Sequence, residues 1–183
     1  MCGDTIDLHR PDEDEYVLDT STIRSFVAGV REAIAHAGDP AEAVEAICPL
    51  FSGLLAEQHW LPEEYQASAP ESGMGGGIGQ WLRFRSTARD LCLFVLVVPP
   101  GAATPVHDHL AWGLVGLYRG EQEETVFARR DEEAPVGENE DLDVKLRRAV
   151  RPGDFYPLLP PENDVHRVRT NSPETSVSVQ LPD

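Results

Sequence analysis

The sequence is poor in cysteine and in basic residues. Its 183 residues include 3 cysteines, an odd and sparse set that does not make a disulfide framework and that fits a reducing cytoplasm. Lysine and arginine total 15 against 32 aspartates and glutamates, which gives a formal charge of -17. A surface of that sign repels phosphate groups, so we expect neither nucleic acid nor an anionic membrane as a partner.

The chain also lacks a long apolar run. No stretch approaches the length of a membrane-spanning helix, and the acidic N-terminus has neither the basic start nor the apolar segment of a secretion signal. We therefore expect a cytoplasmic protein, and the length suits one domain with a sizeable core. The sequence leaves open whether this protein is a monomer or a homodimer.

The first part of the chain has helical periodicity. Residues 1–19 are acidic and mostly polar, and we expect a loose arm there. Residues 20–37 place apolar side chains at helical spacing, and a second helix is predicted to begin after Asp39, which can cap it. Pro49 is expected to kink or split that second helix. Helices and a glycine-rich loop thus account for residues 20–79.

From Gln80 onward the apolar residues alternate with a period of two, which is typical of strands. Many short runs separated by turn residues predict a β-sandwich or small barrel over residues 80–183, without a parallel sheet. The acidic stretch 131–141 is predicted to be an exposed hairpin loop. The predicted strands are 80–86, 91–98, 106–109, 112–119, 122–129, 143–150, 154–156, 165–169 and 175–181.

A pair of histidines lies at the start of one of these apolar runs. On an extended strand alternate side chains share a face, so His107 and His109 should point the same way, with Asp108 opposite. Two imidazoles a few ångströms apart supply most of a metal site, and a third ligand must come from elsewhere. The best candidate is His166, on a strand that follows a turn. The other histidines, in the acidic arm and helical segments, are His9, His36 and His59.

These two histidine stretches resemble the two sequence motifs of the cupin superfamily. Many cupins have a glutamate ligand where this chain has Gly113, and a site of three histidines without glutamate is the variant of the thiol dioxygenases. The chain looks like their bacterial branch, which includes cysteine and 3-mercaptopropionate dioxygenases. The first motif comprises Gly101, His107, His109, Gly113 and Gly120, and the second runs from Gly153 to Pro161 and on to His166.

The resemblance implies a mainly β fold, a cupin double-stranded β-helix, or jelly-roll barrel, with N-terminal α-helices. It also implies that three histidines hold iron(II) and that the enzyme uses O2 to oxidise a small thiol to its sulfinic acid. Ligand type alone does not choose the metal, because imidazole suits iron, zinc, copper and nickel. Two alternatives stay open. One is a metal-dependent cupin oxygenase acting on a non-thiol substrate, and the other is a non-catalytic cupin that binds a small molecule.

A thiol that carries a carboxylate needs a cation at its far end, and arginine suits this because it makes bidentate contacts. In the related enzymes the substrate-binding arginine lies on the first barrel strand, which makes Arg83 the first candidate and Arg85 the second. Regular alternation would place both on one face with Trp81. The alternative is that Arg83 lies on the outer face and pairs with carboxylates.

The related enzymes also have a serine, a histidine and a tyrosine, at alternate positions, near the bound thiol and oxygen. The matching positions here are Ser178, Gln180 and Pro182. Glutamine can donate a hydrogen bond but cannot act as an acid or base near neutral pH, so this change permits a different substrate. Trp112 and Tyr156 are candidates to line the pocket, with ordinary core packing as the alternative.

Overall fold

The computed structural model describes residues 13–69, 75–88, 90–129, 142–161 and 163–182. Helix α1, Ser21–His36, begins at Thr20, whose hydroxyl accepts a hydrogen bond from the backbone N–H of Ile23. Helix α2, Pro40–Ala56, begins at Asp39, whose carboxylate accepts the N–H of Glu42. Helix α2 is continuous with Pro49 inside it, so of the two outcomes expected there, a kink or a split, the split does not occur.

Within the described residues, a short 3-10 helix at Glu63–Gln66 follows the α-helices, and nine strands make up the sheets. Most of these strands lie within two residues of the runs that alternation predicts. The strands are β1 (Glu15–Tyr16), β2 (Gly79–Arg85), β3 (Cys92–Val98), β4 (Gly113–Arg119), β5 (Gln122–Arg129), β6 (Leu142–Val150), β7 (Phe155–Leu158), β8 (His166–Thr170) and β9 (Ser176–Pro182).

The strands form two antiparallel sheets with a jelly-roll order. The six-stranded sheet has the order β1-β2-β3-β9-β4-β7, and the three-stranded sheet has the order β6-β5-β8. Two isolated bridges, Ala103 to Arg169 and His107 to His166, place residues 103–107 beside β8. A jelly roll has two four-stranded sheets of fixed strand order. The same order occurs here, as β3-β9-β4-β7 in one sheet and as residues 103–107, β8, β5 and β6 in the other. The predicted mainly β jelly-roll fold is therefore confirmed.

The six-stranded sheet has an outer face packed on the helices and an inner face turned into the barrel. On β9, Val177, Val179 and Leu181 join the core formed with both helices. Because side chains alternate along a strand, Ser178 and Gln180 lie on the inner face. The inner face of β4 and β7 is apolar, and its buried members are Val115, Leu117, Tyr156 and Leu158.

The acidic arm is attached where the structure describes it. Asp14 forms an ion pair with Arg31 of α1 at 2.6 Å, and Glu15 forms one with Arg85 of β2 at 2.5 Å. Residues 1–12 and the predicted acidic loop 131–141 lie outside the described residues. In the part of the chain that is described, no helix has both the length and the apolar character needed to cross a bilayer.

Candidate metal centre

Three histidine side chains converge inside the jelly roll. The candidate ligand atoms of His107, His109 and His166 all lie within 4.8 Å of one another. The ring centroid of His107 lies 5.0 Å from that of His109 and 4.7 Å from that of His166. Among the described residues, the cluster contains only these three candidate ligands, and it could hold a metal ion. The arrangement brings together residues from two distant stretches of the chain.

Backbone contacts hold these side chains in place. His107 and His166 exchange two backbone hydrogen bonds, of 3.0 and 2.9 Å, so the two residues face each other across the bridge. The backbone N–H of His109 donates to the buried carboxylate of Asp164 at 2.9 Å, instead of to a neighbouring strand. The regular strand expected at residues 106–109 is thus replaced by a single bridge at His107.

Hydrogen bonds to the Nδ1 atoms favour the tautomers that leave Nε2 free for a metal. The Nδ1 of His107 lies 3.0 Å from the carbonyl oxygen of Pro105, and the Nδ1 of His166 lies 2.9 Å from Oε1 of Glu124. Since both partners are acceptors, each Nδ1 carries the proton and donates it. The Nε2 atoms of His109 and His166 are 3.0 Å apart, within hydrogen-bond distance. With the proton of His166 on Nδ1, its Nε2 is the acceptor in this contact, and His109 donates in the metal-free protein.

The site keeps the imidazoles of His107 and His109 neutral. Burial lowers the pKa of His107, and the nearby His166 acts in the same direction. Burial lowers the pKa of His109 to about 3, with His166 and His107 adding to the effect. Neutral imidazole is the form that binds a metal ion, so these two histidines need not lose a proton to bind one at neutral pH. The residues present therefore fit a divalent ion.

These pKa shifts predict a pH dependence of stability in the metal-free protein. In the unfolded chain His109 takes up a proton near pH 6.5, whereas in the folded chain it stays neutral down to about pH 3. The unfolded state then binds more protons, so stability falls as the pH falls through that window. We expect a loss of about 1.5 kcal/mol from His109 between pH 6.5 and 5, measured by urea unfolding.

The variants His109→Gln and His36→Gln separate this effect from other titrations. His109→Gln should lose most of that slope, whereas His36→Gln, at an exposed position at the end of α1, should keep it. The carboxyl groups with lowered pKa values, such as Asp14 beside Arg31, act at lower pH. An unchanged slope in His109→Gln would show that the ring does not stay neutral in the folded protein.

By the motif resemblance, Gly113 stands where many cupins have a glutamate ligand. A Cβ atom at this residue would lie 2.4 Å from the carbonyl oxygen of Leu181 and 2.9 Å from the Cα of Pro182. Both contacts are with the backbone of β9, which pairs with β4 here. A side chain at residue 113 would therefore require the two strands to move apart, and the present backbone leaves no place for a carboxylate.

Ser178 and Gln180 lie on the inner face of the six-stranded sheet. Register places Gln180 opposite Val115, and Val115 opposite Tyr156, so the three side chains form one cross-strand row. The ring of Tyr156 lies 6.3 Å from that of His166, so this row runs toward the histidines. The hydroxyl oxygen of Ser178 is buried and has no hydrogen-bond partner among the described residues.

Among the described residues, neither candidate arginine contacts the three histidines. A bulge between Leu82 and Phe84 interrupts the alternation expected along β2. Arg83 is 2% exposed, with its guanidinium carbon 3.3 Å from the ring centroid of Tyr65 and its Nε donating to the carbonyl of Trp81. Arg85 instead forms the ion pair with Glu15. The structure thus places Arg83 against the 3-10 helix.

The two candidate aromatic residues have different surroundings. Trp112 is half-buried and packs against the core between the helices and the six-stranded sheet. Tyr156 is buried on the inner face beside His166, and burial raises its pKa well above the ordinary value, with the charge of Glu124 acting in the same direction. Among the described residues, Tyr156 makes a ring contact with a histidine of the site, and Trp112 makes none.

Sequence reasoning did not find Glu124 or Arg148. Glu124 is fully buried on β5, where it contacts both His166 and Arg148. Burial alone would raise the pKa of Glu124, but the hydrogen bonds from His166 and Arg148 outweigh it and hold the pKa below the ordinary value. A glutamate alternating with apolar Val126 on a predicted strand was the available signal, because an inward carboxylate needs a partner.

No protein-family model matches the chain. Among solved structures, a cupin domain of a transcriptional regulator from Enterobacter cloacae is 16% identical, with a TM-score of 0.41, over 57% of this chain and 94% of that one. A cupin conserved barrel domain protein from Salinispora arenicola is 16% identical, with a TM-score of 0.43, over 60% of this chain and 77% of that one.

An oxalate oxidase in complex with glycolate is also 16% identical to this chain, with a TM-score of 0.48, over 67% of this chain and 57% of the oxidase chain. Cupin-domain proteins, one of them an oxidase, are thus among the structural neighbours. The fold class stands on the strand order of the two sheets.

Proposed function

We propose that this protein is an iron(II)-dependent dioxygenase that oxidises a small thiol to its sulfinic acid. One observation carries the proposal: three histidine side chains, whose imidazoles are uncharged ligands for a metal, converge inside the jelly roll, and the backbone of β9 leaves no room for a carboxylate at Gly113. Neutral ligands leave the full charge of a divalent ion uncompensated, which favours an anionic guest such as a thiolate.

The chain's own residues would hold and orient the reactants. His107, His109 and His166 would hold the iron, which when bound supplies the redox chemistry with O2. The reaction adds both atoms of O2 to one sulfur, so that R–SH and O2 give R–SO2H. Ser178 brings a buried hydroxyl without a partner in the described part of the chain, which a reactant could engage. Gln180, on the same face, could donate a hydrogen bond but could not carry a proton away.

The positions of the arginines bear on the substrate. Arg83 stacks on Tyr65 and Arg85 pairs with Glu15, so binding a substrate carboxylate would require either guanidinium to add or exchange a partner. The proposal therefore extends to small thiols with and without a carboxylate. A metal-dependent oxygenase acting on a non-thiol substrate is the second candidate, and Gln180 in place of the histidine favours it.

The first test measures metal content and oxygen consumption on protein loaded anaerobically with iron(II). The thiols are cysteine, 3-mercaptopropionate, mercaptosuccinate and cysteamine, of which cysteamine alone lacks a carboxylate. We expect about one O2 consumed per sulfinate formed, with at least one thiol. Turnover of cysteamine at a rate similar to that of the acids would show that no arginine contact with a carboxylate is needed. Stoichiometric iron without O2 uptake on any thiol would contradict the proposal and favour non-thiol chemistry.

A further inference from the structure

Glu124 is a carboxylate with no exposed surface in the middle of a barrel strand. Burying a charged carboxylate costs several kcal/mol unless partners compensate it. Its two oxygens have different partners. Oε1 lies 2.9 Å from Nδ1 of His166, and Oε2 accepts a hydrogen bond from Nε of Arg148. Glu124 therefore connects the candidate metal ligand His166 to a cation.

Strand register brings these residues together. Glu124 of β5 lies opposite Arg148 of β6 and, on its other side, opposite Val168 of β8. His166 is two residues from Val168, so it projects from the same face of the sheet as Glu124. The contact thus arises from the pairing of three neighbouring strands, and it does not depend on a loop conformation.

Arg148 is held from its other side by an aromatic ring. Its guanidinium carbon lies 4.1 Å from the ring centroid of Tyr156, a cation–π distance. The ring of Tyr156 in turn lies 6.3 Å from that of His166. The four side chains form a closed loop in which each contacts the next, and they come from β5, β6, β7 and β8. A closed loop of this kind restricts the rotation of the His166 ring.

We propose that Glu124 and Arg148 are positioning residues for His166 and that they set the affinity of the site for its metal. This inference rests on the proposed metal site. The carboxylate fixes the proton on Nδ1, aims Nε2 at the metal and raises the basicity of the ring. Arg148 binds the same carboxylate as His166. Its positive charge partly offsets the negative charge that acts on the His166 ring, and its hydrogen bond keeps the Glu124 side chain in this rotamer.

The test uses Co2+ as a spectroscopic probe in place of iron. Co2+ is titrated into the metal-free protein, and its visible absorption gives both the affinity and the ligand geometry. Glu124→Gln keeps the size of the side chain but removes its charge, and we expect a 10- to 100-fold loss of affinity, about the range seen for such partners of metal-bound histidines, with a changed spectrum. Arg148→Lys keeps a positive charge but loses the planar contacts, and a smaller loss is expected.

Glu123→Gln is the matched control. Glu123 is the preceding residue of the same strand and is half-buried, but its side chain projects from the opposite face. Its replacement changes the net charge by the same amount and should leave the affinity within about twofold, well under the range expected for Glu124. An unchanged affinity and spectrum in Glu124→Gln, accompanied by a loss of thermal stability, would show that Glu124 only supports the fold and would overturn the inference.

A second measurement needs no variant. In the metal-free wild-type protein, nitrogen NMR of the imidazoles should show His166 with the proton on Nδ1 at neutral pH, as the contact with Glu124 requires. A proton on Nε2 would overturn the inference. Neither measurement depends on a thiol. If the wild-type protein oxidised no thiol but Glu124→Gln had reduced Co2+ affinity, the proposed function would be rejected and this inference would stand. Failure of the wild-type protein to bind Co2+ or iron(II) would reject both.

Discussion

Replacing His107 by alanine is expected to abolish stoichiometric metal binding. The side chain supplies one of the three ligand atoms that lie within 4.8 Å of one another, and no described carboxylate or cysteine belongs to that cluster to replace it. Loss of a ligand should exceed the 10- to 100-fold effect of removing a partner of a ligand, so we expect affinity to fall by more than about 100-fold. Metal analysis after anaerobic loading and desalting measures this directly.

The backbone contacts of His107 should survive the substitution. Its two hydrogen bonds with His166 use main-chain atoms only, so the fold should remain and circular dichroism should be unchanged. His36→Ala is the control, because His36 is exposed at the end of α1 and its Nδ1 lies 2.7 Å from the carbonyl oxygen of Glu32 in its own helix. Retention of one iron per chain in His107→Ala would place the metal site elsewhere.

Adding a single methyl group at Gly113 is expected to destabilise the protein strongly. The new Cβ would lie 2.4 Å from the carbonyl oxygen of Leu181, and the obstacle is strand backbone that cannot rotate away. Overpacking in a core typically costs 1–3 kcal/mol, and we expect Gly113→Ala to reach about 3 kcal/mol because two paired strands must separate. Urea unfolding of the metal-free protein measures the free energy of unfolding without a contribution from the ion.

Gly53→Ala provides the opposite case in the same chain. Gly53 lies inside α2, and among the described residues a Cβ there would have no atom within 4 Å beyond its chain neighbours and its own helix backbone. Alanine in a helix is favoured over glycine by roughly 0.5–1 kcal/mol, so this variant should be stabilised. If Gly113→Ala were as stable as the wild type, β4 and β9 would be able to separate at no cost, and the absence of a carboxylate ligand would then reflect sequence alone.

The barrel strands could be predicted from the sequence because their alternation is local. Strand β5 has the predicted bounds, Gln122–Arg129, and the other strands from β2 to β9 begin and end within about two residues of the prediction, a normal uncertainty at strand ends. The exception is the run 106–109. Its pattern is that of a strand, but the carboxylate of Asp164, far along the chain, takes the N–H of His109. Local periodicity contains no information about that competitor.

The sequence predicts the three histidines of the site better than it predicts the residues around them. Their spacing matches a known motif, whereas the direction of Arg83 depends on a bulge in β2 that arises from pairing with β3. Similarly, the alternation along β5 indicates that the Glu124 carboxylate points inward, but its partners Arg148 and His166 lie on two other strands. Register and bulges result from the whole sheet, so residues that act through a neighbouring strand cannot be assigned from their own segment.

The bridge between His107 and His166 bears on when a metal can be acquired during biosynthesis. His109 and His166, whose Nε2 atoms meet in the site, are 57 residues apart, and the strands β4, β5, β6 and β7 lie between them. A nascent chain that has not yet exposed β8 outside the ribosome offers His107 and His109 of this cluster but not His166. If the three histidines hold a metal ion as proposed, tight binding would follow synthesis and closure of the barrel, so the ion would be a late addition to a folded protein and not a nucleus for its folding.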